Sequence, residues 1–486
     1  MRASHIALLL VIPSVWPTDG PADTLTEDEA VVLALEHNPG LRAAVLDRLA
    51  GEAAIRAAEH AYEPVLSAGA SGGHTESSGG ELGSSDGLAV DAGVAWTSPW
   101  GTSVSAGVSG SWYDREVTGA SLGSTERQPA LGVEARVDAA QPLLRGAGLD
   151  VGEAELRAAR LADVAARYAL DEEAAALVSD VRTAYWELWY AQAALRVQTA
   201  AHELAVRQVA EAQARAEALG LLADSEVLRF ASAEVSLAES LAQAEADGRT
   251  QAVELGRLLD LPVEQAQALE AVEPGAAPAV PDSMARVTEL ARESSSTLLR
   301  LAAQVAATRE QVAVAEDALQ PRLDLTVAFA VGESWTGADY IATWDRPYFT
   351  ATAGLRLEFP FANDRAEGRL AEAQYQADSA QARFDEQAGA VAAEAAILLD
   401  RHGTARHRLE LAQQSADAAR RLAEAERGRL QLGLSTALEV VQAQEDQRGA
   451  ELRCLRAAVD QAAAALAVGR LTGMLLAGDD ALVAAE

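Results

Sequence analysis

Two kinds of periodicity alternate along the chain. Residues 143–261 repeat apolar positions at helical spacing, are rich in Ala, Glu, Arg and Leu, and contain no proline until Pro262. Their one conspicuous break is Gly220-Leu221-Leu222. The helical pattern before it runs for about 70 residues, a rod near 100 Å long at about 1.5 Å per residue. Soluble globular helices usually have about 8–20 residues. A rod this long cannot hide its apolar stripe in a compact core, so the pattern predicts long rods packed on other long rods. Residues 363–474 repeat the arrangement and break at Gly433-Leu434-Ser435. Their final helix has heptad-like spacing at Leu452, Leu455, Val459, Ala462, Leu466 and Gly469.

Between these stretches the period falls to two. Leu88, Val90, Ala92, Val94 and Trp96 alternate with Ala89, Asp91, Gly93, Ala95 and Thr97. Val104, Ala106, Val108, Gly110 and Trp112 alternate with serines and Gly107. Leu131, Val133, Ala135, Val137 and Ala139 alternate with Gly132, Glu134, Arg136 and Asp138. Each segment predicts a strand of about ten residues with one apolar and one polar face. Ser98-Pro99-Trp100-Gly101 reads as a short turn, and residues 71–87 and 114–129 as longer Gly/Ser-rich loops. Short turns on one side and long loops on the other form the outer-membrane β-barrel pattern, and about ten residues is the spanning length of a tilted strand.

The pattern then restarts. Leu290-Ala291-Arg292-Glu293 matches Leu33-Ala34-Leu35-Glu36, Ala315-Glu316 matches Ala58-Glu59, and Pro321-Arg322-Leu323 matches Pro64-Val65-Leu66, all at one offset of 257. Strands follow at Leu323, Leu325, Val327, Phe329 and Val331, and at Leu355, Leu357 and Phe359, with Pro360 matching Pro142. Gly433-Leu434 before Glu439-Val440 matches Gly220-Leu221 before Glu226-Val227. The chain therefore reads as an internal duplication of helix, strands and long helical hairpin. Pro64 to Pro142 spans 78 residues and Pro321 to Pro360 spans 39, so the first half carries 39 more. That is enough for one extra strand pair over 88–113, either two further spanning strands or a hairpin outside the barrel. The expected divisions are a signal segment at 1–22 and a first repeat at 23–261, with strands at about 65–140 and its hairpin at 143–261. A linker follows at 262–282, then a second repeat at 283–476, with strands at about 322–360 and its hairpin at 363–474. Residues 477–486 form a tail.

Local signals fill in the remainder. Thr26, three residues before Glu29, reads as a helix N-cap, and Asn38-Pro39-Gly40 interrupts that helix before a second run ending short of Pro64. Tyr185-Trp186-Glu187-Leu188-Trp189-Tyr190 reads as a packed helical seam rather than an aromatic ligand box. The apolar run from Ile6 to Val15 after Arg2 resembles a short secretory signal.

Composition narrows the function. The net charge is −34 and no lysine occurs, which argues against nucleic acid and suits a lumen favouring cations. One cysteine, Cys454, rules out a disulfide framework and a Cys-rich metal site. His402 and His407 stand five apart, off the i,i+4 spacing of paired helix ligands. No Gly-x-Ser-x-Gly, phosphate loop or His-Glu-x-x-His occurs, so no enzyme and no cofactor are expected. No run of 18 apolar residues predicts a membrane helix.

Strands too few to close a barrel cannot leave open edges in lipid, because unpaired backbone groups go unsatisfied there. Several copies must then share one barrel in a cyclic oligomer. Trp96, Trp100, Trp112, Trp335 and Trp344 fall in or beside the strand blocks, where an interfacial aromatic girdle belongs.

In this order and spacing the chain resembles the TolC-like outer-membrane factors over roughly residues 25 to 475. The resemblance is carried by Leu25-Thr26-Glu27-Asp28-Glu29-Ala30, Asn38-Pro39-Gly40-Leu41, Gln141-Pro142-Leu143-Leu144, Ala184-Tyr185-Trp186-Glu187-Leu188 and the paired hairpin tips. It implies a mostly α fold with a membrane β-barrel portion: a homotrimer whose duplicated hairpins form an α-barrel and whose strands share one outer-membrane β-barrel. It implies an exit duct for a tripartite efflux pump or type I secretion system, extending into the periplasm. The implied partners are a periplasmic adaptor, an inner-membrane pump of RND or ABC type and outer-membrane lipid. The family's tip motif maps onto Gly220, Leu221, Ser225, Glu226 and Val227, and onto Gly433, Leu434, Thr436, Glu439, Val440 and Val441, and the implied adaptor contacts are Gly220, Leu221, Ser225, Gly433, Leu434, Ser435 and Thr436. Its pore-tip ring maps onto Glu439 and Gln442, with Glu226 at the first tip; Gln442 departs from the acidic pattern. An arginine that locks some relatives corresponds to Ser435, leaving Arg427 or Arg429 for such a role. The rival reading is a periplasmic coiled-coil adaptor or scaffold, which would carry one hairpin rather than two.

Overall fold

The two halves begin with helices of the same lengths at the same offset. In the first, α1 (Glu27–His37) has 11 residues and α2 (Pro39–His60) has 22. The computed structural model describes residues 24–77, 82–118, 125–219, 224–336 and 347–476. The expected signal segment, the tail, Gly220, Leu221 and Trp344 lie outside the described residues, as do the side chains of Ser225 and Glu226. The strands of the first half are β1 (Thr24–Leu25), β2 (Val65–Ser77), β3 (Leu82–Thr97), β4 (Ser103–Thr118) and β5 (Thr125–Pro142). Then come α3 (Leu149–Gly152), α4 (Ala154–Leu219), α5 (Asp224–Leu258), α6 (Val263–Ala266) and β6 (Glu270–Ala271). The second half comprises α7 (Met284–Ser294), α8 (Ser296–Asp317), β7 (Arg322–Thr336), β8 (Tyr348–Glu358), α9 (Asp364–Gln431) and α10 (Ala437–Leu471). Helices α7 and α8 again have 11 and 22 residues, displaced by 257 from α1 and α2. The hairpin arms pair as well: α4 has 66 residues against 68 in α9, and α5 and α10 have 35 each.

The chain divides into two compact units. The first comprises Met1–Ala44, Leu170–Ser296 and Gly389–Glu486. Its seams combine small side chains with a few large ones. Val287, Ala395, Leu398 and Val468 form one cluster, and Trp186, Val459 and Ala462 another. Ala, Val and Gly at buried positions let helix axes approach, and a long helix gains its stability from such packing rather than from propensity. Of the heptad positions on α10, Val459, Ala462, Leu466 and Gly469 are buried, and Leu452 and Leu455 are half-buried. The Tyr185–Tyr190 stretch is a packed seam, with Tyr185 and Leu188 almost fully buried. Glu187 pairs with Arg456 at 2.7 Å, and that guanidinium also lies over the Tyr190 ring.

Two two-residue strands, β1 and β6, pair in parallel within this unit. The Tyr185 hydroxyl reaches the carbonyls of Leu25 at 2.7 Å and Val272 at 2.9 Å, tying both to α4. Burial pushes the Tyr185 phenol up to about 12. Gln192 clasps β6 from the same helix, donating to the Leu269 carbonyl and accepting from the Ala271 amide. Thr26 caps α1 through a reciprocal box with Glu29, a feature that contributes about 1 kcal/mol. Asn38 ends α1 and opens α2: its Oδ1 accepts from the amides of Gly40 and Leu41, and its amide donates to the Leu258 carbonyl.

The second unit comprises Val45–Ala169 and Thr297–Ala388. It holds a six-stranded sheet in the order β2-β3-β4-β5-β7-β8, antiparallel throughout. The two halves meet at β5 and β7, where Val137 faces Phe329 and Ala135 faces Val331. Both strands of the extra pair belong to this sheet. One expectation is corrected: residues 71–77, 82–87, 114–118 and 125–129, read as loop, continue the strands. Ladder hydrogen bonds come from the backbone, so Gly- and Ser-rich segments extend a hairpin once their neighbours are paired.

Candidate functional site

Register makes the sheet two-faced. On one face Leu88, Trp112, Leu131 and Trp335 stand in a row across four strands. Val90, Gly110, Val133 and Glu333 form the next row, then Ala92, Val108, Ala135, Val331 and Phe349. Val94, Ala106, Val137 and Phe329 follow, and then Trp96, Val104, Ala139 and Val327. The opposite face carries small and polar residues, among them Asp91, Ser109, Glu134, Arg136, Asp138 and Asp324. There Tyr348 donates to the Glu134 carboxylate at 2.6 Å, and Arg136 pairs with Asp138 at 2.8 Å.

From Leu88 to Trp96 the apolar band spans eight residue steps, about 27 Å along a strand and about 21 Å upright at a 40° tilt. That is close to the ~25 Å lipid-facing band of outer-membrane barrels. Tryptophans mark both borders: Trp112 and Trp335 at one, Trp96 at the other, with Trp100 on the adjoining turn. The Trp96 indole N–H donates to the Tyr62 carbonyl at 2.8 Å, leaving its ring on the apolar face as an interfacial residue requires. Phe359 and Phe361 are exposed just past β8, Phe361 fully so. Phe359, read from the sequence as the end of the last strand, lies just beyond it, and Phe361 was not singled out by periodicity. Among the described residues neither edge strand has a further partner: every residue of β8 is exposed, as is β2 from Val65 to Glu76.

The second hairpin tip has a definite architecture. Gly433 closes α9 with φ 73°, a conformation that suits glycine. Thr436 caps α10: its hydroxyl oxygen accepts the Glu439 amide at 3.3 Å, and the Glu439 carboxylate accepts the Thr436 amide at 2.8 Å. Ser435 brings its hydroxyl within 2.9 Å of that carboxylate and 2.6 Å of the Glu426 carboxylate. Arg429 pairs with Glu426 at 2.6 Å and donates to the Leu434 carbonyl at 3.1 Å. The Thr436 amide, with the Ser435 and Thr436 hydroxyls, holds the Glu439 carboxyl below the ordinary carboxylate range. Leu434 and Gln442 are exposed. Glu426 was not singled out from the sequence, because an i,i+3 pair with Arg429 looks like any helix-face ion pair. Beside the tip, Ala437 packs with Ala212 and Phe230, and Val227, Leu430 and Val441 flank them. The two hairpins thus pack together near their ends.

Residues 287–474 match the family described as outer membrane efflux protein. They span the second half's helix pair, strands and hairpin, the arrangement that the first half repeats. Residues 287–474 carry the outer membrane efflux protein domain. Solved structures of the same fold cover 92% of this chain. The outer-membrane channel OprN is 18% identical, with a TM-score of 0.69 over 89% of its own chain. The CmeC outer membrane channel of Campylobacter jejuni is 14% identical, with a TM-score of 0.69 over 85%. The outer membrane protein VceC of Vibrio cholerae is 17% identical, with a TM-score of 0.68 over 96%. Likeness at these identities establishes the fold. Comparison with curated proteins finds no match. The efflux family consists of outer-membrane channels, not enzymes, and among the described residues no group of His, Cys, Asp and Glu could hold a metal ion.

Proposed function

We propose that three copies of this efflux protein form one conduit through the outer membrane, gated at its periplasmic hairpin tips and supplied by an inner-membrane pump through a periplasmic adaptor. The observation that carries this is the six-stranded sheet, with an apolar band of lipid height on one face and two open edge strands. Six is an even number, so β2 of one copy and β8 of the next run antiparallel and can continue the ladder around a ring. Closure is the arrangement that satisfies every strand in lipid. The exposed apolar side chains of the long helices, such as Tyr375, Ile397, Leu411 and Leu422 on α9, are then covered by neighbouring copies in an α-barrel.

The tips supply the docking and gating elements. Gly433, Leu434, Ser435 and Thr436 of one hairpin, with Gly220, Leu221 and Ser225 of the other, are the adaptor contacts. Glu439, with Gln442 and Glu226, rings the entrance. The acid excess gives the lumen a cation preference.

The test is extraction and conductance. The protein should leave the outer-membrane fraction only with detergent, run as a trimer, and form cation-preferring channels in planar bilayers. A stable, detergent-free single subunit overturns the proposal, and anion preference overturns the account of the lumen.

A further inference from the structure

We infer that the extra hairpin β3–β4 spans the membrane, so that each copy supplies six strands and the shared barrel has eighteen. This rests on the three-copy reading above and deepens it by setting the width of the duct.

Three features of the hairpin carry the inference. It is inserted in the sheet rather than appended to it: β2 pairs with β3 over 13 residues, β3 with β4 over 16, and β4 with β5 over 16. A hairpin lying outside the barrel would leave β2 beside β5. The pair also carries the apolar band at the same height as its neighbours. Leu88 to Trp96 and Val104 to Trp112 stand row by row against Leu131 to Ala139 on β5, and β5 carries the rows on to β7. Finally, the turn is seated at the base of the sheet. The Gly148 amide donates to the Trp100 carbonyl at 3.4 Å, and Thr102 bonds Gln141 at the end of β5. A Cβ on Gly152 would collide with the Pro99 carbonyl, and one on Gly101, at φ 82°, with the Gly146 carbonyl. Glycine at both positions lets the turn settle onto the strand-to-helix junction.

Barrel width grows roughly in proportion to strand number. With strands about 4.8 Å apart and tilted about 40°, eighteen close at a backbone diameter of about 36 Å, whereas four per copy would close at about 24 Å. The inserted pair does not refill the space it opens. Its residues on the polar face are Ala89, Asp91, Gly93 and Ala95 on β3, and Ser105, Gly107, Ser109 and Ser111 on β4, nearly all small. The membrane section is therefore a water-filled duct about half again as wide as a twelve-stranded one.

Spin labels test this on the full chain, reconstituted in lipid on a Cys454→Ser background. Val90→Cys and Val108→Cys report the hairpin, and Val137→Cys and Phe329→Cys report strands outside it. Power saturation should place all four labels in lipid, with Ser109→Cys in water. Equivalent Val137 backbones in a trimer should lie about 31 Å apart in an eighteen-stranded ring and about 21 Å apart in a twelve-stranded one. Pulsed dipolar spectroscopy separates these values, because the label adds the same offset to both. Labels at 90 and 108 in water with those at 137 and 329 in lipid, or a separation near 21 Å, overturn the wide barrel and leave the channel reading standing. All four labels in water overturn both.

Discussion

The tip of the second hairpin offers a sharp test, because one threonine organises it. In Thr436→Ala the Glu439 amide loses the hydroxyl oxygen that accepts it at 3.3 Å, and the Glu439 carboxylate loses the Thr436 hydroxyl at 3.1 Å. The Val440 amide keeps its bond to the Thr436 carbonyl, so the helix shortens rather than melts. Removing an N-cap of this kind costs about 1 kcal/mol, or about a fivefold rise in opening of the first turn. Hydrogen exchange read by mass spectrometry should show the amides of Glu439 and Val440 exchanging about fivefold faster, with Ala457 and Leu466 unchanged. In Glu439→Gln the side-chain carbonyl still accepts the Thr436 amide, so exchange should rise less, while the proposed ring loses charge and cation preference falls. The pH dependence has a definite sign. The folded-state value of Glu439 lies below its unfolded value. Its contribution is therefore present above about pH 4.3 and is lost as pH falls through the depressed value. Unchanged exchange at Glu439 and Val440 in Thr436→Ala would refute the claim that this cap holds the tip.

Tyr185→Phe should speed exchange of the Val272 amide about tenfold, because loss of the buried hydroxyl that ties β1 and β6 to α4 costs about 1.4 kcal/mol; Tyr190→Phe is the control that should leave it unchanged. His402 is held below the ordinary histidine value by burial and by Arg406, so the folded state binds fewer protons and loses stability as pH falls through about 6.5. Melting curves at pH 8 and pH 5.5 should show His402→Gln losing less than the wild-type protein on acidification. Gly433→Ala meets no atom within 4 Å of the added Cβ, so its cost should be the backbone cost of φ 73° alone, about 1–2 kcal/mol in the tip. A larger loss on denaturant unfolding would mean that the tip is packed more tightly than the structure has it.

Much of the fold was readable because it rests on long periodic signals. Leu88 to Trp96 and Leu131 to Ala139 alternate cleanly, and their strands lie where the alternation lies. The offset that matched Leu33-Ala34 to Leu290-Ala291 also relates two pairs of helices residue for residue. What escaped was structure decided by partners distant in sequence. The pairing of Thr24–Leu25 with Glu270–Ala271 depends on Tyr185 and Gln192, which no two-residue pattern can announce. The strand extensions through Gly83, Gly87 and Asp114 hold because a neighbour offers its backbone. At the tip, Gly433 was legible as the break between helices, but the Thr436 cap and the Ser435 hydroxyl between two carboxylates were not read, since Glu426 and Glu439 are brought together only when the hairpin closes.

Energetics indicate which part of the molecule compels assembly. The long helices satisfy their own backbones, so exposed side chains such as Tyr375 and Leu411 cost only hydrophobic area in water. The sheet is different. In an edge strand alternate residues point both backbone groups outward, so the 11 residues of β8 leave about ten donors and acceptors unpaired, and the 13 of β2 about as many. In lipid each costs several kcal/mol, which sums to tens of kcal/mol per edge against a typical folding stability of about 5–15 kcal/mol. No arrangement of side chains within one copy offsets that. In the conduit proposed above, β8 of one copy therefore lies against β2 of another, and the proposed helical tube follows from that ring of strands.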